Sequence, residues 1–255
     1  MIRLIENAGE ALESSTHSIS TKEKIQYLNQ LTEIGYFAVN IGKYCLNAQS
    51  QSDDLDKIIS SLDKKNTKIL LSTDTKSGFL QALKNPKADL LEIPFSLLNE
   101  PEDIISPFNE KIIISYPVDF STDYFFKNSF FQSFLKHCNT IRIKRIKFYN
   151  TTKEVREDAV RILFENCISD YPEIEFGSQF RLEEKLYKPV FDSAYSSGCR
   201  FFETSIKGWA KNETGTILPT EKILSYLASI EEKTDINPLL LESAYNTAKK
   251  IFSNT

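Results

Sequence analysis

The chain has 255 residues, 41% hydrophobic and 26% charged, with a formal net charge of −4. That composition is ordinary for a globular protein and excludes general disorder, collagen-like repeats and low complexity. The acidic balance excludes the basic footprint of a dedicated nucleic-acid binder, and the absence of any apolar run of about 18 residues excludes a membrane-spanning helix.

The opening stretch MIRLIENAGEALESS has no long apolar core behind a basic head, so no secretory signal is expected. Ile2–Ile5 is β-prone, and Glu6–Ile19 after it looks like a loop. Ser20–Ile34 carries Ile25, Leu28 and Leu31 on one helical face. It opens on Ser20-Thr-Lys-Glu23, the pattern of a capping box. Gly35 stands where a helix-ending glycine belongs, just before the next β-prone run, Phe37–Ile41. Asp53–Leu62 reads as a helix, Lys68–Leu71, Leu90–Ile93 and Ile112–Tyr116 as strands. The aromatic cluster Tyr124, Phe125, Phe126, Phe130, Phe131 and Phe134 has helical spacing, which predicts packing rather than a base-stacking surface.

Strand six is expected at Thr140–Ile143, helix Lys153–Cys167 follows it, and strand seven is expected at Glu173–Phe176. Pro189 predicts a kink in the next helix unless the helix starts close to it. Gly198 precedes strand eight, Arg200–Thr204. Gly208–Thr220 looks like a loop, Thr220–Ile230 a helix, and Asn237–Phe252 an extra helix with Pro238 in its first turn. Eight strand–helix units in one chain predict an α/β fold, a (β/α)8 TIM barrel with an extra C-terminal helix, spanning 1–255 as one domain. An open doubly wound sheet is the alternative. Both loop-like segments follow strands, which puts them on the C-terminal face, where barrels place their chemistry.

Several segments are similar to a known family. Ser20–Gly35 resembles the first helix and glycine turn of the 3-hydroxy-3-methylglutaryl-CoA (HMG-CoA) lyases, a branch of the DRE-TIM metallolyases. LSTDTKSGFLQAL (Leu71–Leu83) is similar to the family's L-x-P-N-x-K-G-x-x-x-A segment with one residue inserted, and GCRFFETSIKG (Gly198–Gly208) to its eighth strand. GTILPTEKIL (Gly215–Leu224) resembles the segment that opens its last barrel helix. The resemblance implies the same barrel, carbon–carbon lyase chemistry, and a small ligand of the acyl-CoA or 2-oxo acid class. It also allows a homodimer.

The family's functional residues do not carry over. Its first strand ends in R-D-G, where the Asp binds a divalent metal and the Arg stabilises an enolate; Gly9 and Glu10 stand near those positions. Its seventh strand ends in H-x-H, where this chain reads EIEFGSQ (Glu173–Gln179), and Thr216 replaces its metal-binding Asn. The cysteine of the lyases' mobile loop has no counterpart in GWAKNETG (Gly208–Gly215). Such a site cannot be rebuilt from Gly, Ser and Gln, so neither a metal nor another cofactor is expected.

Charged residues near strand ends are the remaining candidates: Glu92 at strand four, Lys144 and Lys147 after strand six, Glu203 and Lys207 around the end of strand eight. Glu10, Glu203, Lys207 and Lys144 are the catalytic candidates, and Glu92, Gln179 and Thr216 the ligand-binding ones. A lysine in the vacated cation position would restore positive charge against Glu10, Glu92 and Glu203, with Lys144 or Lys207 drawn in. The same residues also read as a structural Glu–Lys network. The run Arg142–Lys147 reads as the rim of strand six or as a phosphate or acyl-CoA contact. His17, on the first loop, is a weaker candidate, and His137 falls on the stability face. Cys45, Cys138, Cys167 and Cys199 form no C-x-x-C pair and read as reduced thiols of a cytoplasmic protein. Three functions compete: a divergent lyase working without a metal, with a polar pocket of convergent Glu and Lys; a non-catalytic barrel whose pocket is filled by Phe, Tyr and Trp209; and a true metallolyase.

Overall fold

In the computed structural model, which describes residues 1–15, 18–44, 49–99, 105–123, 125, 128–212 and 215–252, eight parallel strands close on themselves. They are β1 (Arg3–Asn7), β2 (Ala38–Tyr44), β3 (Lys68–Thr73), β4 (Leu90–Pro94), β5 (Ile112–Val118), β6 (Arg145–Asn150), β7 (Glu175–Gln179) and β9 (Phe201–Thr204). β1 pairs with both β2 and β9, so no barrel strand has a free edge and the open-sheet alternative falls. The surrounding helices are α1 (Ala8–Glu13), α2 (Thr21–Glu33), α3 (Gln49–Ser61), α4 (Lys76–Leu83), α5 (Ser129–Thr140), α6 (Glu157–Asp170), α7 (Tyr187–Ser196), α8 (Thr220–Ser229) and the C-terminal α9 (Pro238–Phe252). A three-stranded sheet of β10 (Lys211–Asn212), β11 (Gly215–Ile217) and β8 (Arg181–Leu182) sits beyond the strand ends.

Local chemistry explains many of these elements. Ser20 and Glu23 form the expected capping box at the start of α2. Gly35 and Gly198 take φ of 105° and 97°, a left-handed turn that a side chain would resist. Pro189 falls in the first turn of α7, which starts at Tyr187, so its missing N–H does not interrupt the helix. The segment Glu6–Ile19 is not all loop. β1 runs through Asn7, whose side chain accepts the Glu10 amide at 3.2 Å and starts α1. The segment Gly208–Thr220 likewise contains β10 and β11.

The strand-six prediction needs correction. α5 continues through Thr140, Arg142 turns with φ of 60°, and the strand is Arg145–Asn150. Ile141 and Ile143 are buried at that corner, so their apolarity reports a packed turn rather than a strand.

Alternate strand residues divide between two cores. Leu4, Val39, Ile69, Leu91, Ile114, Phe148 and Phe202 face the helices. Ile5, Ala38, Leu70, Leu90, Ile113 and Phe201 form an apolar plug inside the barrel. Below the plug, Glu175 is ion-paired with Arg3 and with Arg145, and Lys68 lies 4.5 Å from the centre of the Phe37 ring. Above the plug the interior turns polar. Phe125, Phe131 and Phe134 pack into the core as expected, whereas Phe130 is 56% exposed. Tyr124, Phe126, His17 and Cys45 lie outside the described residues. Cys138, Cys167 and Cys199 are buried free thiols that burial keeps protonated. No described helix is long and apolar enough to cross a membrane.

Candidate active site

A cavity of about 570 Å³ opens where the barrel strands end, the face on which barrel enzymes place their chemistry. Lys147 forms its floor. The side chain projects inward from the middle of β6, is 1% exposed, and its Nζ stands 2.8 Å from Glu92 Oε2 of β4. The same ammonium contacts Glu203 Oε2 of β9, which is fully buried. Ser72 donates to Glu92 Oε2 at 3.4 Å and receives the Asn40 side-chain amide at 2.9 Å, so five strands converge on one ion cluster.

The electrostatics follow from two carboxylates sharing one ammonium. Burial works against the charge of Lys147, but Glu203 and Glu92 outweigh it and hold the ammonium well above the usual lysine range. For Glu203 the balance runs the other way. Burial, with the neighbouring charges of Glu92 and Glu10, outweighs the pull of Lys147 and pushes the carboxyl up to about 7. Its second oxygen, Oε1, is buried with no hydrogen-bond partner.

A second ion pair forms the wall. Glu10 of α1 pairs with Arg181 of β8 and accepts the Asn7 side-chain amide at 2.9 Å. Asn150, at the end of β6, grips the Arg181 backbone from both sides: its Oδ1 accepts Arg181 N–H at 2.8 Å, and its Nδ2 donates to Arg181 O at 2.9 Å. At the rim, Lys43 pairs with Asp74 at 2.8 Å. Among the described lining residues, five carboxylates (Glu10, Glu13, Asp74, Glu92, Glu203) face three cations (Lys43, Lys147, Arg181).

Of the residues proposed from sequence, Glu10, Glu92, Lys147, Gln179 and Glu203 line this cavity, and Lys144, Lys207 and Thr216 do not. Lys144 precedes β6 at the opposite end of the barrel, where its carbonyl accepts Glu175 N–H at 2.9 Å. Lys207 lies in a turn after β9, exposed, its ammonium 5.4 Å from the centre of the Trp209 ring. Thr216 pairs with Leu182 in the small sheet. The cations drawn to Glu203 and Glu10 are therefore Lys147 and Arg181, not Lys144 or Lys207. The misplaced strand six had put Lys147 in a loop, although the alternation Arg145, Lys147, Tyr149 was a signal for it. Arg181 carried no local signal, because its partner is 171 residues away. The run Arg142–Lys147 is not one surface: Arg142 is exposed in a turn, Arg145 pairs at the barrel base, and Lys147 is inside.

The donor set does not fit the divalent ion that the resemblance implies. Glu10 is engaged by Arg181 and Asn7. Gly177, in the strand that would carry the two imidazoles, has the Phe201 ring in the space of a side chain. A Cβ on Gly9 would lie 2.6 Å from the Cα of Gly42, so no guanidinium can project from that position. Among the described residues no group of three or more His, Cys, Asp or Glu could hold a metal ion.

No family model matches the sequence, and no curated protein matches it. Solved structures do. An HMG-CoA lyase from Acinetobacter baumannii, in complex with coenzyme A and 3-methylmalate, superposes with a TM-score of 0.82 at 17% identity, over 99% of this chain and 92% of that one. The HMG-CoA lyase of Bacillus subtilis gives 0.83 at 14% identity, over 99% and 94%. The N-terminal domain of a putative aldolase from Bacteroides vulgatus gives 0.76 at 13% identity, over 99% and 88%. The chain has the fold of these proteins.

Proposed function

We propose that this barrel is a carbon–carbon lyase of the aldol type that works without a resident divalent metal, on a ligand of the 2-oxo acid or acyl-CoA class. The observation that carries the reading is Lys147, an ammonium held between Glu92 and Glu203 at the floor of an open polar cavity. In the retro-aldol direction a carboxylate takes the proton of the substrate hydroxyl, the carbon–carbon bond breaks, and its electron pair passes to a carbonyl oxygen as an enolate. The same proton then returns to carbon. Lys147 supplies fixed positive charge for the developing oxyanion, a role that a Lewis-acid metal fills elsewhere. Glu203 is the base this reading favours, because its carboxyl titrates near neutrality.

The polar lining supports an enzyme over a filled barrel. Trp209 packs outside against Tyr245 and Phe252, not in the cavity. One observation favours a second reading, a non-catalytic binding barrel: Lys147 is already committed to two carboxylates, as in a purely structural ion cluster. The deciding experiment incubates the purified, chelator-treated protein with a panel of hydroxy-2-oxo acids and hydroxyacyl-CoA thioesters and follows cleavage by mass spectrometry. The lyase reading requires cleavage that persists in chelator and is lost in Lys147→Met. Cleavage that depends on an added divalent ion, or no cleavage of any substrate, would overturn it.

A further inference from the structure

Glu203 Oε1 and Arg181 present two unlike demands to whatever enters the cavity. Glu203 lines the cavity, and its Oε1 is a fully buried acceptor without a donor, while the other oxygen of the same carboxylate is held by Lys147. A buried acceptor left unmade costs about 1–3 kcal/mol, so the site favours a ligand that brings an O–H or N–H. A ketone or thioester oxygen, an acceptor only, cannot meet that demand from the ionised carboxylate. Arg181 makes the opposite demand. Its backbone is clamped by Asn150, and of its five side-chain N–H donors the described acceptors are Glu10 and, at 3.5 Å, the Ala210 carbonyl. A planar fork held in this way is suited to a carboxylate. Glu10 links the two demands, since it pairs with Arg181 and its charge is also felt at Glu203.

Charge limits the ligand further. With five carboxylates and three cations in the described lining, one negative group beside Arg181 is tolerable, but a tail of several phosphates passing Glu13 and Asp74 at the rim is not.

Resting on the lyase reading, we infer that the ligand of this cavity is a small hydroxy acid rather than an acyl-CoA. Its carboxylate sits on the Arg181 guanidinium and its hydroxyl donates to Glu203 Oε1. This arrangement places the hydroxyl proton on the carboxylate that the retro-aldol step needs as base, next to the Lys147 ammonium.

The test is binding, read by calorimetry and thermal shift, with L-lactate and L-malate as hydroxy acids, pyruvate as the acid without a donor, L-alanine as the acid with an ammonium, and coenzyme A. The wild type should bind a hydroxy acid at least about tenfold more tightly than pyruvate, from a hydrogen bond to a charged group. It should not respond to coenzyme A. Arg181→Lys should lose about tenfold for the hydroxy acids and for pyruvate alike. Glu203→Gln should lose the preference for the hydroxyl while retaining pyruvate, which keeps the assignment testable if the arginine variant fails to fold. Coenzyme A binding as tightly as a hydroxy acid, no response to either hydroxy acid, affinities unmoved in both variants, or stabilisation by L-alanine in place of the hydroxy acids would each overturn the inference. Hydroxy-acid binding without cleavage of any substrate sinks the lyase reading alone. Cleavage of a CoA thioester untouched by Arg181→Lys sinks this inference alone.

Discussion

The ring of Phe201 occupies the space above Gly177: a Cβ added there would collide with three ring carbons, Cδ2, Cε2 and Cζ. β7 and β9 pair at these two residues, so neither backbone can withdraw without opening the barrel. Gly177→Ala is therefore expected to destabilise the protein by about 1–3 kcal/mol, the usual cost of overpacking. Phe201→Ala in the same chain should recover part of that loss. Urea denaturation of the two single variants and the double variant measures both effects, and simple additivity would show that the contact does not matter.

Lys147 carries the second prediction. Its removal in Lys147→Met leaves Glu92 and Glu203 facing each other with no cation. Breaking a buried ion pair in this way costs about 3–5 kcal/mol. The loss should shrink as pH falls and the carboxyls become protonated, so denaturation at pH 5 and pH 8 distinguishes this cause from lost packing, whose cost would not change with pH.

Glu6 gives a pH dependence independent of the cavity. It faces the helices, fully buried, and accepts Ile206 N–H at 2.9 Å and the Thr220 hydroxyl at 3.1 Å. Burial nonetheless pushes its carboxyl up to about 8, far above the ordinary value of 4.5. Below that ordinary value both folded and unfolded chains hold the proton and the full stability is present. Between the two values the unfolded chain releases the proton and the folded chain keeps it, so stability falls with rising pH, approaching about 1.4 kcal/mol per pH unit for one proton. Glu6→Gln should flatten that part of the stability curve. An unchanged slope would place the titration elsewhere.

For the metal, the expected outcome is no rise in melting temperature with millimolar Mg²⁺, Mn²⁺ or Zn²⁺ and no measurable cleavage of HMG-CoA with any of them. A ligand at 100 times its dissociation constant would add about 2.7 kcal/mol, which a thermal shift detects. One equivalent of metal by elemental analysis after dialysis, lost in Glu10→Ala, would return the protein to the metallolyases.

Asn150→Ala should free both sides of the Arg181 peptide, each held at 2.8–2.9 Å in the wild type. The expected cost is about 1–3 kcal/mol. Weaker binding of a carboxylate ligand should accompany it if Asn150 positions the guanidinium. A stability loss with unchanged carboxylate binding would limit Asn150 to a structural role.

The barrel was legible in the chain because its signals are local. The capping box of Ser20 and Glu23, the turns at Gly35 and Gly198, and the short apolar runs of β3, β4 and β5 each involve neighbours in sequence, and each appears as expected. Apolar content misplaced strand six, since an inward-facing strand end with Arg145 and Lys147 does not look apolar, and the buried Ile141 and Ile143 beside it do. The cavity depended on closure of the barrel. Lys147 meets Glu203 across 56 residues and Arg181 meets Glu10 across 171, distances over which no residue pattern carries a pairing. The composition of Glu and Lys could announce that buried charges must find partners. Which Lys, and which Arg, was decided by strand register and by the two glycines, Gly9 and Gly177, whose missing side chains leave room only for backbone and for the Phe201 ring.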